Sequence, residues 1–322
     1  MDLEALKIVV TGGAGFIGAN LVERLLQNDR IESVRVLDDL SNGYYSNISA
    51  FESNPKFEFI EGDIRDYGKV LKLTNGFDII SHQAALGSVP RSIENPMLST
   101  DVNVSGSVNV LHAAVVNKVQ RVILACSSST YGDSTSLPKK EDVIGKPLSP
   151  YAITKYTMEL YADVFQKTYG LDFIGLRYFN VFGPKQSSDN PYAAVIPIFC
   201  QAFLEGRSPI INGDGETSRD FTYVDNAVQA NLKAIFTDNE NALNQIYNVA
   251  CGERTSLNEM MTALRKITQQ DIEASYGPER PGDVKHSLAD ISKIQNLLDY
   301  TPAIKFEEGL EKVYQWYTSQ NG

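Results

Sequence analysis

The chain has 322 residues, 43% of them hydrophobic, enough for one large two-lobed domain or two closely joined ones with a full core. With 29 Lys and Arg against 40 Asp and Glu, the net charge of -11 excludes a general nucleic-acid or anionic-membrane surface, so an anionic ligand must meet a local cluster of cations. Cys126, Cys200 and Cys251 stand far apart without CxxC spacing, and histidines number three, which predicts a reduced compartment and no metal centre.

The opening "MDLEALKIVVTGG" lacks a basic stretch followed by a long apolar one. No run approaches the roughly 18 apolar residues of a spanning helix, so a cytoplasmic protein is expected. "KIVVT" reads as a buried strand, and "TGGAGFIGANLVERLL" follows it as a turn opening a helix. Gly12, Gly15 and Gly18 lie three apart, and Gly13, Gly15 and Gly18 satisfy GxGxxG. Such a turn lets backbone N–H groups approach a pyrophosphate, and Gly18 permits close helix packing. Asp38 closes the next strand, "VRVLD", about 20 residues beyond the glycines, where a carboxylate accepts from ribose hydroxyls and repels a 2'-phosphate. Together they predict NAD.

"FEFIEGD", "DIISHQ", "RVILACS" and "FIGLRYF" continue the series of short apolar runs separated by helix-like segments. This rhythm predicts an α/β fold with a doubly wound parallel sheet. Val104, Val108, Leu111 and Val115 share one helical face, which packs on the sheet or pairs with a second copy. "ACSSSTYGD" follows a strand, at the end where open α/β sheets bind ligands. Ser128 and Ser129 are candidates to hydrogen-bond a reacting oxygen, and Ser127 serves that role or the turn itself.

In "LSPYAITKYTMEL", Tyr151 and Lys155 stand four apart on a helix beginning at Ser149 or Pro150, so phenol and ammonium share one face. The ammonium and an oxidised nicotinamide both favour the phenolate, bringing a pKa of about 10 toward working pH. Tyr151 is the candidate base. After "RYFNVFGP" the rhythm changes at Pro184, Pro191, Pro197 and Pro209. Residues 1–180 are therefore expected to form the dinucleotide-binding domain and 181–322 a smaller substrate lobe. Segments from about 219 to 250, "RDFTYVDNAVQANLKAIF" and "IYNVAC", are expected to return to the first domain.

"TGGAGFIG", "SSSTYG" and "YAITK", in this order, resemble the extended short-chain dehydrogenase/reductase family over essentially the whole chain. "HQAALGSVPRS", "LRYFNVFGP", "YAAVIP", "NGDGETSRDFTYVDN" and "RPGDVKHSLAD" are similar to the nucleotide-sugar 4-epimerases, in particular the bacterial UDP-N-acetylglucosamine 4-epimerases. The resemblance implies a Rossmann sheet, a tightly held NAD and interconversion of UDP-GlcNAc and UDP-GalNAc through a 4-keto sugar. Tyr151 would take the O4 proton while C4 gives hydride to nicotinamide, and hydride would return to the other face. Lys155 would bind the nicotinamide ribose, and Ser128 and Ser129 would contact O4. Gly12, Gly15, Phe16, Ile17, Gly18, Asp38, Asn42, Gly43, Asp63, Ile64, Gln83, Ala84, Ala85, Asn103 and Tyr178 would line the cofactor site.

The nucleotide sugar would fall to Ser88, Asn180, Gln186, Ala194, Val195, Asn212, Arg219, Arg280, Asp283 and Ser287. Arg219 and Arg280 suit diphosphate oxygens on chemical grounds as well, since guanidinium groups bind them bidentately. A small Ser287, where glucose-specific relatives carry a bulky aromatic, leaves room for an N-acetyl group that Ser88 could hydrogen-bond. UDP-glucose and 6-carboxylate UDP-sugars stay open as substrates, the latter for epimerisation or decarboxylation. A dehydratase is disfavoured because no Asp or Glu lies between Cys126 and Gly132, and elimination needs a proton donor and acceptor. A non-catalytic NAD-binding protein would not need Tyr151 and Lys155. A homodimer through the Val104–Val115 and Tyr151 helices is also implied.

Overall fold

Leu6–Thr11 alternates its side chains between two apolar environments. Ile8 and Val10 belong to one core cluster and Val9 to another, as a strand covered on both faces requires. The computed structural model describes residues 5–187, 194–279 and 285–321. Its first elements are β1 (Leu6–Thr11), α1 (Phe16–Leu26), β2 (Ile31–Asp38), β3 (Phe57–Glu61), α2 (Tyr67–Thr74), β4 (Ile79–His82), α3 (Val89–Glu94), α4 (Pro96–Thr100), α5 (Ser107–Val116), β5 (Arg121–Ser127), α6 (Pro150–Tyr169) and β6 (Asp172–Tyr178). They continue with β7 (Val181–Phe182), α7 (Val195–Leu204), β8 (Ile210–Asn212), β9 (Ser218–Arg219), β10 (Thr222–Tyr223), α8 (Val224–Phe236) and β11 (Gln245–Val249). The chain then adds β12 (Thr255–Ser256), α9 (Leu257–Thr268), β13 (Ser275–Gly277), α10 (Ser292–Leu298) and α11 (Phe306–Asn321).

The central sheet has seven strands in the order β11-β6-β5-β4-β1-β2-β3, every pairing parallel. The apolar runs read as strands form β1 to β6: β1, β4, β5 and β6 are buried along most of their length, whereas β3, at the edge of the sheet, is only partly buried. The order reverses between β1 and β4, and a crevice opens at such a switch point, outside the carboxyl ends of the strands. Helices α2, α5 and α6 cover one face with Val70, Leu111 and Met158. Helices α1 and α8 cover the other with Leu25 and Val228. Strands β8, β9, β12 and β13 form small separate pairings beside them, the smaller α/β lobe.

Helix α8 contacts α1, β5 and β6, and β11 adds to the main sheet beside β6. The helix expected to carry Val104 is irregular: Asp101–Gly106 is a π-helical turn before α5. Val104 thus falls in a wider turn than the 3.6-residue face assumes. Leu111 is buried in the core while Val108 and Val115 pack partly against it. Among the described residues no helix is long and apolar enough to cross a membrane.

Candidate active site

A cleft of about 730 Å³ opens at the carboxyl ends of the strands, lined from Gly12 at one end to Arg219 and Ser287 at the other. Helix α1 begins at its floor with Gly15 as N-cap and no side-chain cap, which leaves N-terminal N–H groups to face an anion. The glycine turn is fixed by crowding. A Cβ on Gly12, whose φ is +71°, would stand 2.5 Å from Ala84 N, and one on Gly18 would stand 2.1 Å from Gly12 O. A Cβ on Gly15 would meet only Gly12 O, at 3.3 Å, so it would fill the concavity where a pyrophosphate fits. This cradle suits NAD, and Phe16 and Ile17 line it as well.

Asp38 lines the cleft and also ties the turn together. Its carboxylate accepts from Ala14 N at 2.9 Å and from Leu40 N at 2.9 Å. Burial raises its pKa, and these two backbone N–H groups oppose the rise. Each carboxylate oxygen keeps lone pairs for ribose hydroxyls. Asn42, Gly43, Ile64, Gln83, Ala84, Ala85, Lys155 and Tyr178 line the same cleft. Asp63 does not: its neighbours Gly62 and Ile64 do, while its carboxylate is ion-paired with Arg65.

Asn103 is placed behind the lining. The π-helical turn carries it inward, where its Oδ1 accepts from Leu86 N at 2.8 Å and its Nδ2 donates to Thr154 Oγ1 at 3.1 Å. It therefore joins the Ala84–Gly87 loop to α6. A buried chain backs it. His82 bonds Thr11 Oγ1 at 2.7 Å and Ser107 Oγ at 2.9 Å, and Ser107 Oγ donates to Asn103 O at 2.6 Å. Burial pushes the His82 pKa down to about 3, so the ring is neutral at ordinary pH. Sequence reasoning missed this chain, and also Asn231 on α8, which accepts from Gln83 Nε2 at 3.0 Å and donates to Tyr178 OH at 2.8 Å.

Helix α6 starts at Pro150, with Ser149 Oγ accepting from Ala152 N at 3.1 Å. It brings Tyr151 and Lys155 to the end of β5, beside the serine loop. Lys155 Nζ donates to Ala125 O at 2.6 Å, and burial pushes its pKa down to about 8. Burial raises the pKa of the Tyr151 phenol, and a hydrogen bond from Ser127 opposes the rise. The Lys155 ammonium is directed to a carbonyl, so the chain alone does not hold Tyr151 as phenolate.

Ser127 is thus the serine whose hydroxyl acts on the phenol. Its Oγ accepts from Ser129 N at 3.1 Å and from Ser129 Oγ at 2.9 Å. A hydroxyl has two acceptor sites and one donor, so these two bonds leave the Ser127 proton available for donation. Ser128 and Ser129 also line the cleft. The only sequence signal for Ser127 was its place as the last residue of a buried strand.

At the far end, Asn180, Arg219 and Ser287 line the cleft. Arg219 Nη1 donates to Ser218 O at 3.0 Å, and Asn180 Nδ2 donates to Asp220 O at 3.0 Å. Ser88 caps α3, accepting from Arg91 N at 3.2 Å, and lies outside the lining between Gly87 and Val89. Gln186, Ala194, Val195 and Asn212 are likewise not in the lining. Gln186 Nε2 donates to Val181 O at 3.3 Å, Ala194 and Val195 begin α7, and Asn212 ends β8. Arg280 and Asp283 lie outside the described residues. Sequence reasoning missed Asp220 and Lys139. Asp220 is completely buried, and its carboxylate accepts from Cys251 N, Gly252 N and Ala289 N at 2.9, 3.1 and 3.2 Å.

The model of the NAD dependent epimerase/dehydratase family matches residues 8–250. A putative UDP-glucose 4-epimerase of Methanocaldococcus jannaschii is 37% identical over 316 residues, covering 98% of this chain and 99% of its own length. A solved UDP-N-acetylglucosamine 4-epimerase from Methanobrevibacter ruminantium, in complex with UDP-N-acetylmuramic acid, superposes with a TM-score of 0.93 at 40% identity, covering 98% of this chain and 99% of that one. A UDP-glucuronic acid 4-epimerase from Bacillus cereus, in complex with UDP-glucuronic acid and NAD, superposes at 0.91 with 31% identity, covering 98% and 100%.

Proposed function

Because this chain belongs to the NAD-dependent epimerase/dehydratase family, and is an NAD-dependent nucleotide-sugar 4-epimerase within it, we propose that it interconverts UDP-GlcNAc and UDP-GalNAc. The observation that carries this choice of sugar is Ser287, a small side chain lining the same cleft as Tyr151 and the serine loop. A hydroxymethyl there leaves volume for an acetamido group that an aromatic ring would fill. The 40% identity to a UDP-N-acetylglucosamine 4-epimerase supports the same reading.

NAD, when bound, supplies reversible oxidation at the sugar C4. The glycine turn and the N-terminus of α1 would hold its pyrophosphate, Asp38 its adenosine ribose and Lys155 its nicotinamide ribose. Tyr151 would accept the O4 proton and later return it, and Ser127 would stabilise the phenolate through its single donated hydrogen bond. Ser128 and Ser129 would lie against the sugar, Ser129 also orienting Ser127. Arg219 would meet the diphosphate. No acid stands in the serine loop to draw a proton for elimination, so the 4-keto sugar would turn over and be reduced on its other face.

The active unit would be a homodimer. Ile153, Leu160 and Val164 expose an apolar stripe on α6, with Ile93 on α3 and Met97 on α4, the latter 80% exposed, and both short helices contact α6. Apolar surface of this kind is buried by association. Purified protein given UDP-GlcNAc should yield UDP-GalNAc with inversion at C4 in the proton NMR spectrum, and light scattering should give twice the chain mass. Net NADH accumulation, or a dehydrated product, would overturn the epimerase reading. Faster turnover of UDP-glucose than of UDP-GlcNAc would overturn the choice of sugar.

A further inference from the structure

The glycine turn is pressed from two sides. On one, Gly43 lies so close that a Cβ there would stand 2.7 Å from Ala14 C and 2.9 Å from Gly15 N. Tyr44 N and Asn47 Nδ2 both donate to Ala14 O, at 3.1 and 2.9 Å. On the other side, the loop after β4 packs the Ala84 main chain against Gly12. These flanks follow β2 and β4, the two neighbours of β1 in the sheet. Asn42 and Gly43 line the cleft from one flank, Ala84 and Gly87 from the other. A dinucleotide whose pyrophosphate rests on the turn therefore lies in the slot between them.

One side-chain bond joins the flanks. Arg91 Nη2, on α3, donates to Asn42 Oδ1 at 3.1 Å, between segments 49 residues apart. Arg91 stands outside the lining, two residues beyond Val89. Both ends of this strap are anchored. Asn42 precedes the glycine held against the turn. Ser92, next to Arg91, is completely buried; its Oγ accepts from Tyr151 N at 3.0 Å and donates to Val89 O at 2.7 Å. Helix α3 is thereby tied to the start of α6.

Charge points the same way. The acids of the described lining, Asp38 and Asp39, belong to the glycine-turn end, whereas its cations, Lys139, Lys155 and Arg219, stand by the serine loop or beyond it. A pyrophosphate adds negative charge at the end that already holds the acids. The Arg91 guanidinium carries five N–H donors in a planar fork, and the bond to Asn42 engages one of them.

We propose that Arg91 is a cofactor-retaining residue, forming with Asn42 a strap across the slot of the pyrophosphate and bringing a cation to it. The strap keeps NADH in place between removal of hydride from the sugar and its return, since a cofactor that left midway would strand the 4-keto sugar. This rests on the use of NAD by the family and not on the choice of sugar.

The test uses full-length enzyme loaded with NADH, without sugar. Chasing with excess NAD and following the loss of NADH fluorescence gives the release rate. Arg91→Met keeps the stem, removes the donors and should speed release about 10- to 100-fold, the scale of one charge-assisted hydrogen bond. Arg91→Lys keeps the charge without the fork and should fall between; it takes the place of Arg91→Met if that variant does not fold. Asn42→Ala cuts the strap at its other anchor and should also speed release. The double variant should release little faster than Arg91→Met alone, because the same bond is lost either way. Wild-type release in both Arg91 variants would overturn the strap. So would wild-type release in Asn42→Ala, or effects that multiply in the double variant, since either result separates Arg91 from Asn42. Strap-dependent retention in an enzyme inactive on UDP-GlcNAc would support this inference and overturn the proposed sugar instead.

Discussion

The two ends of the cleft are built from different material. At the dinucleotide end the walls are main chain: the Gly12–Gly18 turn, the uncapped start of α1 and the Ala14 and Leu40 N–H groups gathered on Asp38. At the sugar end they are side chains held by other side chains or by distant loops, as Ser127 is held by Ser129 and the Ser287 segment by Asp220. Backbone shape tolerates side-chain exchange as long as no Cβ intrudes, whereas a side-chain relay fails with one atom. Removing single groups from the sugar end should therefore damage chemistry or sugar binding while NAD stays bound.

The largest effect is expected from Tyr151→Phe. Loss of a positioned acid/base should slow the chemical step by about 10²–10⁴, with NAD still bound after purification. Single-turnover kinetics with UDP-GlcNAc would measure it. Near-normal turnover would remove Tyr151 as the base, and loss of NAD would erase the contrast between the two ends.

That contrast also separates what was legible in the sequence from what was not. The strands β1 to β6, the glycine turn and the Tyr151–Lys155 pair depend on neighbours close in sequence, so periodicity and spacing expose them. Ser127 could not be told from Ser128 and Ser129 on that basis, because its distinction is the direction of hydrogen bonds set by the loop. Asn231, Lys139 and Asp220 reach the site through contacts 148, 5 and 31 to 69 residues away, and only Lys139 has its partner nearby. The π-helical turn that turns Asn103 inward leaves no periodic trace either. The direction of the Lys155 ammonium is hidden for a related reason: an i,i+4 pair shares a face, but the Ala125 carbonyl receives the ammonium's hydrogen bond.

A second, smaller effect sharpens the comparison within the sugar end. Ser127→Ala removes the hydroxyl that acts on Tyr151, a donor worth about 1.5–3 kcal/mol to a charged acceptor, so kcat should fall about 10- to 100-fold. Because the lost bond is the one opposing burial, the Tyr151 pKa should rise. The limb of the pH–rate profile on which the phenolate forms should move to higher pH. Ser128→Ala should leave that limb in place. A shift of equal size in both variants would remove the special role of Ser127.

The smallest effect is expected from Asp220→Asn, which acts on the site without touching it. An amide has one acceptor oxygen where the carboxylate has two, so at least one of the N–H groups of Cys251, Gly252 and Ala289 loses its partner, at about 1–3 kcal/mol. The loops that place Ser287 should loosen, raising KM for the nucleotide sugar about tenfold, with a smaller change in kcat and no loss of NAD. Burial raises the Asp220 pKa to about 7, which gives the test a second axis. Below pH 7 the protonated acid presents an O–H among three N–H donors, and above it the carboxylate accepts from all of them. KM in the wild type should therefore fall as pH rises through 7. The raised pKa also means that ionised Asp220 lowers fold stability: its contribution is complete below the unfolded value of 3.8 and is lost as pH rises through 7. Sugar binding and stability should thus move in opposite directions across that window in the wild type, and Asp220→Asn should flatten both. A pH-independent KM in the wild type would show that the carboxylate holds its loops equally well in either protonation state.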